Sequence, residues 1–409
     1  MKNNLKHIII LNIWGKGLVL IYGIVSIPLF IESLAESDYA IWILCYSLTS
    51  IISLSDFGLT QVVANDLTEL IQKDLKKFSE VFSTTFIINL IIGLSLFLIS
   101  TILQYYFFPS IIYLSLLIFQ TSLNLPLSLF QGVFRIRSEL RKYLFVTNIS
   151  KTLFFFGGLL IFIQTKEITP MVTWFTIINL IQMIVLIYFI NRKNIIKWTF
   201  FKIERIRPYL KKSLFNLGYP LLNVIQTQGP LYIIKIILGD SFLIIFNTIK
   251  TMTNLPKQIH SLLGSSYSHE FNRLYFTTKK VRSKIAFNEF YIISVFLSVV
   301  ILFLINIIGD FLLQNWFNLE GDYWILTFVM SLTTLSYISW NSSVFWFLST
   351  NNQDKSFNLS FLGSIVPITS LTLILIIGID LSIALFSIFL IEVIISGLLR
   401  KKLFETIRR

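Results

Sequence analysis

One cysteine, three histidines and only 13% charged side chains leave little from which a soluble catalytic site could be built in a chain of 409 residues. Cys45 is alone, which excludes an intrachain disulfide framework, and His7, His260 and His269 are too scattered for a zinc site. The sequence also lacks a glycine-rich nucleotide loop, metal-ligand spacing and a nucleophile with a neighbouring base. These absences disfavour an enzyme and predict neither a resident metal nor an organic cofactor. What the chain has in excess is apolar surface: hydrophobic residues make up 55% and the mean hydropathy is +0.76.

The apolar residues gather into runs of about 20, the length of helix that crosses a hydrocarbon core of about 30 Å. In lipid only a helix satisfies its own backbone, so the runs predict an all-α polytopic membrane protein. Twelve candidate spans cover approximately residues 8–31, 39–60, 81–103, 111–131, 143–164, 170–190, 214–238, 241–262, 286–308, 323–348, 357–379 and 381–399. The first run is longer than a typical signal-peptide core and has no small-residue cleavage pattern, so it is expected to stay as a helix.

The basic residues check this count. Twenty-eight of the 34 lysines and arginines fall at the two termini and in the gaps after even-numbered spans, whereas the opposite gaps hold Lys166 alone among acids such as Glu32, Glu36, Asp38 and Glu167. Basic loops stay in the cytoplasm, so both termini are expected there. The net charge of +13 is thereby explained by topology, without a nucleic-acid partner.

The spans split six and six around residues 192–213, a basic stretch with Glu204 as its one acid and Pro208 inside it, expected to be a solvated linker. The expected organisation is an N-terminal lobe at 1–191 and a C-terminal lobe at 214–409. Ser37, Asp38 and Tyr39 open the second span much as Asp240, Ser241 and Phe242 open the eighth. Such an echo is common in transporters made of repeated bundles.

Several spans carry polar stripes at helical spacing, as expected of helices that line an aqueous cavity. The second has Thr49, Ser53, Asp56 and Thr60; the fourth has Gln120, Asn124, Ser128 and Gln131; the seventh has Asn216, Asn223, Gln226 and Thr227; the eighth has Asn247, Lys250, Thr251, Asn254 and Gln258. Spans three, six, eleven and twelve look apolar and peripheral. At about 1.5 Å per residue, Lys16 and Lys250 lie roughly 12 to 14 Å inside the membrane boundary, and Lys151 is similarly deep. A lysine there costs at least about 2.5 kcal/mol unless it is wet or paired. One reading neutralises these lysines with Asp56 or Glu392. The other makes them a positive cavity for phosphate or acidic sugar. Asp56, Glu392 and Lys151 are accordingly candidates for ion coupling or ion pairing. Among the prolines within spans, Pro220 and Pro230 mark the seventh helix as the one most open to bending.

The segment from Ile27 to Leu67, IPLFIESLAESDYAIWILCYSLTSIISLSDFGLTQVVANDL, resembles the opening of bacterial polysaccharide exporters of the Wzx type, with Asp56, Phe57, Gly58 and Leu59 matching the end of the family's second helix. The likeness extends to length, twelve spans, internal termini, a basic central loop and an amphipathic stretch from about Asp66 to Phe78. It implies a flippase of the multidrug/oligosaccharidyl-lipid/polysaccharide (MOP) superfamily with a MATE-like fold in the bacterial inner membrane. Such proteins move undecaprenyl-pyrophosphate-linked O-antigen or similar repeat units from the cytoplasmic to the periplasmic leaflet. Two lobes would alternate access around a cationic cavity, driven by a proton or sodium gradient, with room for association with a glycan polymerase. Lys16 and Lys250 would then hold the anionic headgroup, and Asn12, Asn223, Gln226, Asn247 and Asn254 would contact sugar. A multidrug cation antiporter of the same superfamily and a membrane-embedded glycan polymerase or ligase are the alternatives. An antiporter calls for deep carboxylates, and a polymerase for a large outer loop; the outer gaps here are short.

Lys16→Ala and Lys250→Ala are expected to reduce surface polysaccharide at normal protein abundance. Full activity of both single variants and of the double variant would defeat the headgroup assignment.

Overall fold

The computed structural model describes residues 2–408 except 61, 65, 66, 68, 69, 71–73, 137, 138, 193–195, 277–279, 320 and 351. Residues 66, 68, 69 and 71–73 of the expected amphipathic stretch and the side chain of Asn216 therefore lie outside the described residues. Among the described residues every regular element is helical. In order these are α1 (Lys2–Ser33), α2 (Glu36–Ile52), α3 (Leu75–Phe107), α4 (Leu114–Ser122), α5 (Asn124–Ile136), α6 (Leu140–Thr152), a π-helical turn (Leu153–Gly157), α7 (Gly158–Thr165), α8 (Ile168–Arg192), α9 (Ile203–Leu238), α10 (Asp240–Thr253), α11 (Leu255–Phe276), α12 (Lys280–Asn315), α13 (Trp324–Ser349), α14 (Gln353–Ile376) and α15 (Leu381–Arg408).

Nine helical stretches among the described residues are long and apolar enough to cross a membrane. They coincide with nine of the twelve expected spans; the second, eighth and tenth are the exceptions. The reason differs for each. α2 stops at Ile52, before the turn that holds Asp56, and α10 stops at Thr253, before Pro256. A proline N–H is missing and its ring clashes with the preceding turn, so the eighth span breaks at Asn254 and restarts as α11. α13 is long enough but carries Asn341 and a dense set of serines, threonines and tryptophans.

The chain divides into two compact units, Met1–Leu29 with Trp42–Leu221, and Phe30–Ile41 with Leu222–Arg409. In the first unit α3 packs on α4, and α7 on α8. Its core gathers Phe78, Phe82, Phe86, Phe130, Leu186 and Ile190. α1 approaches α6 closely: a Cβ on Gly15 would lie 2.5 Å from Asn148 Oδ1, and the buried Asn148 amide donates to the Leu11 carbonyl at 2.6 Å. In the second unit α13 and α14 pack on α15, and α11 on α12, with Phe271, Phe287, Phe290 and Trp346 fully buried.

The basic connector differs from the solvated loop expected of it. Residues 196–202 lie along the start of α3, where the Lys197, Thr199 and Lys202 amides donate to the hydroxyls of Ser79, Ser83 and Thr84 at 3.3, 3.3 and 3.2 Å. Ile196 and Ile206 enter the core, and Trp198 packs edge-on against Phe82 and Phe86. The carboxylate of Glu80, whose side chain is 1% exposed, accepts from Lys202 Nζ at 2.6 Å and from Arg205 Nε at 2.7 Å. Charge-assisted bonds of this kind are the strong ones. From Ile203 onward the connector is already the first turn of α9, so the helix begins eleven residues before the expected seventh span.

The Asp56-Phe57-Gly58-Leu59 motif is a turn locked by its aspartate. Phe57 and Gly58 both take positive φ, 52° and 74°, a conformation that glycine adopts freely and phenylalanine only under constraint. Asp56 supplies that constraint: its two oxygens accept from the amides of Gly58 and Thr60, each at 2.9 Å, which starts the next helical segment. Asn89 of α3 then donates to the Thr60 hydroxyl at 2.8 Å.

Asp56→Ala is expected to cost about 1–2 kcal/mol, as the loss of a helix cap does. Asp56→Asn, which keeps one acceptor oxygen, should cost less. Thermal unfolding of the detergent-solubilised protein reads both; equal stability of all three proteins would show that the turn does not depend on this side chain.

Candidate functional site

Each unit carries its own polar cavity. In the first, a space of about 480 Å³ is lined by Gln120 and Asn124 from the fourth span, Lys151 from α6, Asn179 and Gln182 from α8, and Thr49 and Ser53 from the second span. Tyr46, Phe154 and Phe155 add aromatic faces. No carboxylate is present among the described lining residues. Lys151 is half-buried and is the cavity's one cation among those residues.

The π-helical turn that follows Lys151 explains how the fifth span presents its side chains here. Trp174 Nε1 donates to the Leu153 carbonyl at 2.8 Å, and a Cβ on Gly157 would lie 2.5 Å from that same nitrogen. A side chain inserted into the helical ladder is a recognised cause of such a bulge, and π-bulges recur at functional sites. The widened turn carries Phe154 and Phe155 onto the cavity wall. Further along α8 the Asn179 side-chain amide donates to the Gln120 carbonyl at 3.1 Å, which ties α8 to α4.

A second space of about 410 Å³ in the first unit shares Ser53 and Ser128 with the first and reaches Asp56, Thr60 and Gln131. Asp56 is buried there with both oxygens already engaged by backbone amides. Lys16 of α1 is half-buried and within electrostatic reach of Lys151, so the two like charges oppose each other. Asn12 is exposed on α1.

In the second unit a cavity of about 70 Å³ collects Gln226, Lys250, Lys257, Tyr337 and Glu392. Glu392 is 2% exposed, and it accepts hydrogen bonds from Gln226 Nε2 and Ser336 Oγ. Lys257 faces the same carboxylate and sits 4.7 Å from the centre of the Tyr337 ring. The Tyr337 hydroxyl donates to Asn223 Oδ1 at 2.8 Å, and Asn341 donates to that hydroxyl at 3.1 Å. Lys250 Nζ donates to the Thr227 carbonyl at 2.6 Å and reaches Gln228 Oε1 at 3.4 Å. Pro230 lacks the N–H that would bond the Gln226 carbonyl, one residue before the carbonyl that the ammonium takes up, and α9 nevertheless runs unbroken through it.

The structure thus brings together Gln226, Lys250 and Glu392 in one cavity, with Asn223 joined to it through Tyr337. Asn247 instead meets the Tyr39 hydroxyl, and Asn254 occupies the break between α10 and α11, its backbone N–H donating to the Lys250 carbonyl at 2.9 Å. Lys235 forms an ion pair with Asp240. The echoed helix starts also meet, since Ser241 Oγ donates to Glu36.

Two spans expected to be peripheral are not. Asn179 and Gln182 place the sixth span on the large cavity, and Glu392 places the twelfth on the small one. The signal in the sixth was Thr176, Asn179 and Gln182 at three-residue spacing inside an apolar run. The tenth span supplies Ser336, Tyr337 and Asn341, which the sequence reading had not singled out. Among the described residues no group of three histidines, cysteines or carboxylates could hold a metal ion.

No protein-family model matches the chain, and no curated protein sequence does. Solved structures match across its whole length. An outward-facing multidrug resistance MATE family transporter of the MOP superfamily gives a TM-score of 0.77 at 12% identity, covering 100% of this chain and 96% of that one. An inward-facing structure of such a transporter gives 0.75 at 12% identity, covering 98% of each chain. A MOP superfamily transporter from Pyrococcus furiosus, described as having a binding pocket of reverse polarity that suggests a different function, gives 0.76 at 12% identity, with coverage of 100% and 96%. The chain is a multi-pass membrane protein with the MATE transporter fold.

Proposed function

We propose that the chain is a flippase of the MOP superfamily that moves an undecaprenyl-pyrophosphate-linked oligosaccharide, an O-antigen or similar surface-glycan repeat unit, from the cytoplasmic to the periplasmic leaflet of a bacterial inner membrane. The supporting observation is the cavity of about 480 Å³ in the first unit, whose polar lining among the described residues consists of amides and hydroxyls with Lys151 as its cation and without a carboxylate. Amides and hydroxyls both donate and accept, which suits sugar hydroxyls; aromatic faces suit sugar rings; a lysine suits phosphate. An organic cation would find no counter-charge there. The volume falls within the ordinary range of ligand sites, about 300–1,000 Å³.

The polyprenyl tail stays in lipid while the pyrophosphate and sugars cross through wet protein, which avoids the cost of charge in hydrocarbon. Lys16 and Lys250 serve the headgroup along with Lys151, and Asn12, Asn223, Gln226, Asn247 and Asn254 serve the sugars. Coupling to a proton or sodium gradient falls to Glu392, which lies in a small cavity beside Lys257. Asp56 is left to hold its turn.

A multidrug antiporter is the second reading, favoured by the fold shared with multidrug MATE transporters. The leaflet position of the lipid-linked repeat unit separates the two. In spheroplasts of a strain lacking this protein, a membrane-impermeant probe is expected to miss the repeat unit, and the wild-type gene should restore labelling. Lys151→Ala should slow restoration by about ten- to hundredfold, the value of one charge-assisted hydrogen bond. Normal outer-leaflet labelling in the deletion strain, together with raised sensitivity to cationic drugs, would replace the flippase with an antiporter. Outer-leaflet repeat units that accumulate unpolymerised would point to a polymerase.

A further inference from the structure

The connector between α8 and α9 is fixed on its inner side and unsatisfied on its outer side. Its inner side is the one zipped onto α3 through Ser79, Ser83 and Thr84 and clamped by Glu80. Its outer side presents large apolar side chains: Phe200 is 93% exposed, and Phe201, Ile203 and Leu210 are exposed beside it. Lys197, Lys202, Arg205 and Arg207 are also exposed, with Glu204 as the acid among them. Glu80 neutralises one unit of the charge that Lys202 and Arg205 carry, so a positive excess remains. In a connector free to fold back on itself these aromatics would bury one another. Here the clamp prevents it.

The level of this surface follows from α3. Its 33 residues extend about 50 Å, some 20 Å more than a hydrocarbon core needs. The connector packs on the first ten residues of that helix, which also begins with Lys76 and Lys77 and contains the buried Glu80. These polar residues mark the end of α3 that leaves the hydrocarbon, so Phe200 and its neighbours stand where acyl chains give way to headgroups. Aromatic and aliphatic side chains beside a ring of bases form the composition that inserts at such a boundary and draws anionic lipid.

We propose that residues 197–210 form a membrane-surface anchor, with Phe200 and Phe201 inserted at the headgroup level and Lys197 and Arg207 bound to the phosphates of anionic lipid. The occupant is the bilayer the protein itself spans. The inference rests on membrane insertion and the clamped connector, and is independent of the cargo.

The test uses the full chain reconstituted in vesicles, with Phe200→Cys carrying an environment-sensitive fluorophore in a Cys45→Ser background. In vesicles containing phosphatidylglycerol the dye is expected to be shielded from aqueous iodide and quenched by a lipid bearing a nitroxide near its headgroup. In pure phosphatidylcholine the shielding should be weaker, and Lys197→Gln with Arg207→Gln should remove the difference, at about fivefold in anionic-lipid preference per charge lost. Both bases point away from the core, and size-exclusion profiles control for folding. A dye that stays open to iodide in both lipids would overturn the anchor. Equal shielding in both lipids would overturn the anionic-lipid assignment.

Discussion

A polar group inside hydrocarbon must find its partner within the protein, and this requirement orders the whole structure. Hydroxyls meet it without leaving their own helix. Thr84, Thr85, Thr121, Thr147, Thr176 and Thr248 each donate to the carbonyl four residues earlier. Amides and charges cannot do so as easily and reach across to another element. Asn89 reaches Thr60, Asn148 reaches Leu11, Asn179 reaches Gln120, and Gln226 reaches Glu392. Asparagine, glutamine and the few charges therefore set many of the helix contacts, and hydroxyl pairs such as Ser339 with Ser396 and Ser370 with Ser387 add others.

That distinction explains what the sequence disclosed. Run length and the alternation of basic gaps were enough for an all-helical membrane chain, because both follow from the thickness of the bilayer and the cost of moving lysine across it. Polar stripes mark the second, fourth, seventh and eighth spans, each of which lines a cavity, but Asn179 and Gln182 lie in a span that is otherwise apolar and carries no such stripe along its length. Lys250, Gln226 and Glu392 were legible as polar singles in apolar surroundings, but which carboxylate joins Gln226 and Lys250 was not, since α15 is far from the consecutive helices α9 and α10 along the chain. The motif around Asp56 was legible as a motif, yet its work was not. Only the backbone reveals that both carboxylate oxygens are spent on amides beside two left-handed residues.

Local irregularities place the sites more than regular helix does. Pro256 ends α10 and sets Asn254 in a break, Pro230 removes a backbone donor from α9 next to the carbonyl that Lys250 meets, and Trp174 opens the turn after Lys151. The cost of such departures is tolerable in a membrane only where protein or water lines them. The turn after Lys151 and the stretch around Pro230 both lie at cavities.

The clamped connector has a consequence for the divisibility of the chain. Sequence alone would cut it between 191 and 214, where the charge is densest and hydrophobicity lowest. The compact first unit instead continues to Leu221, and Ile196, Trp198 and Ile206 form part of the wall that covers Phe82 and Phe86. A fragment ending at residue 191 would carry an open aromatic core, and its complement would begin with a loose apolar ribbon. The length of chain suggested by the repeat and the length that packs as one compact unit are therefore different.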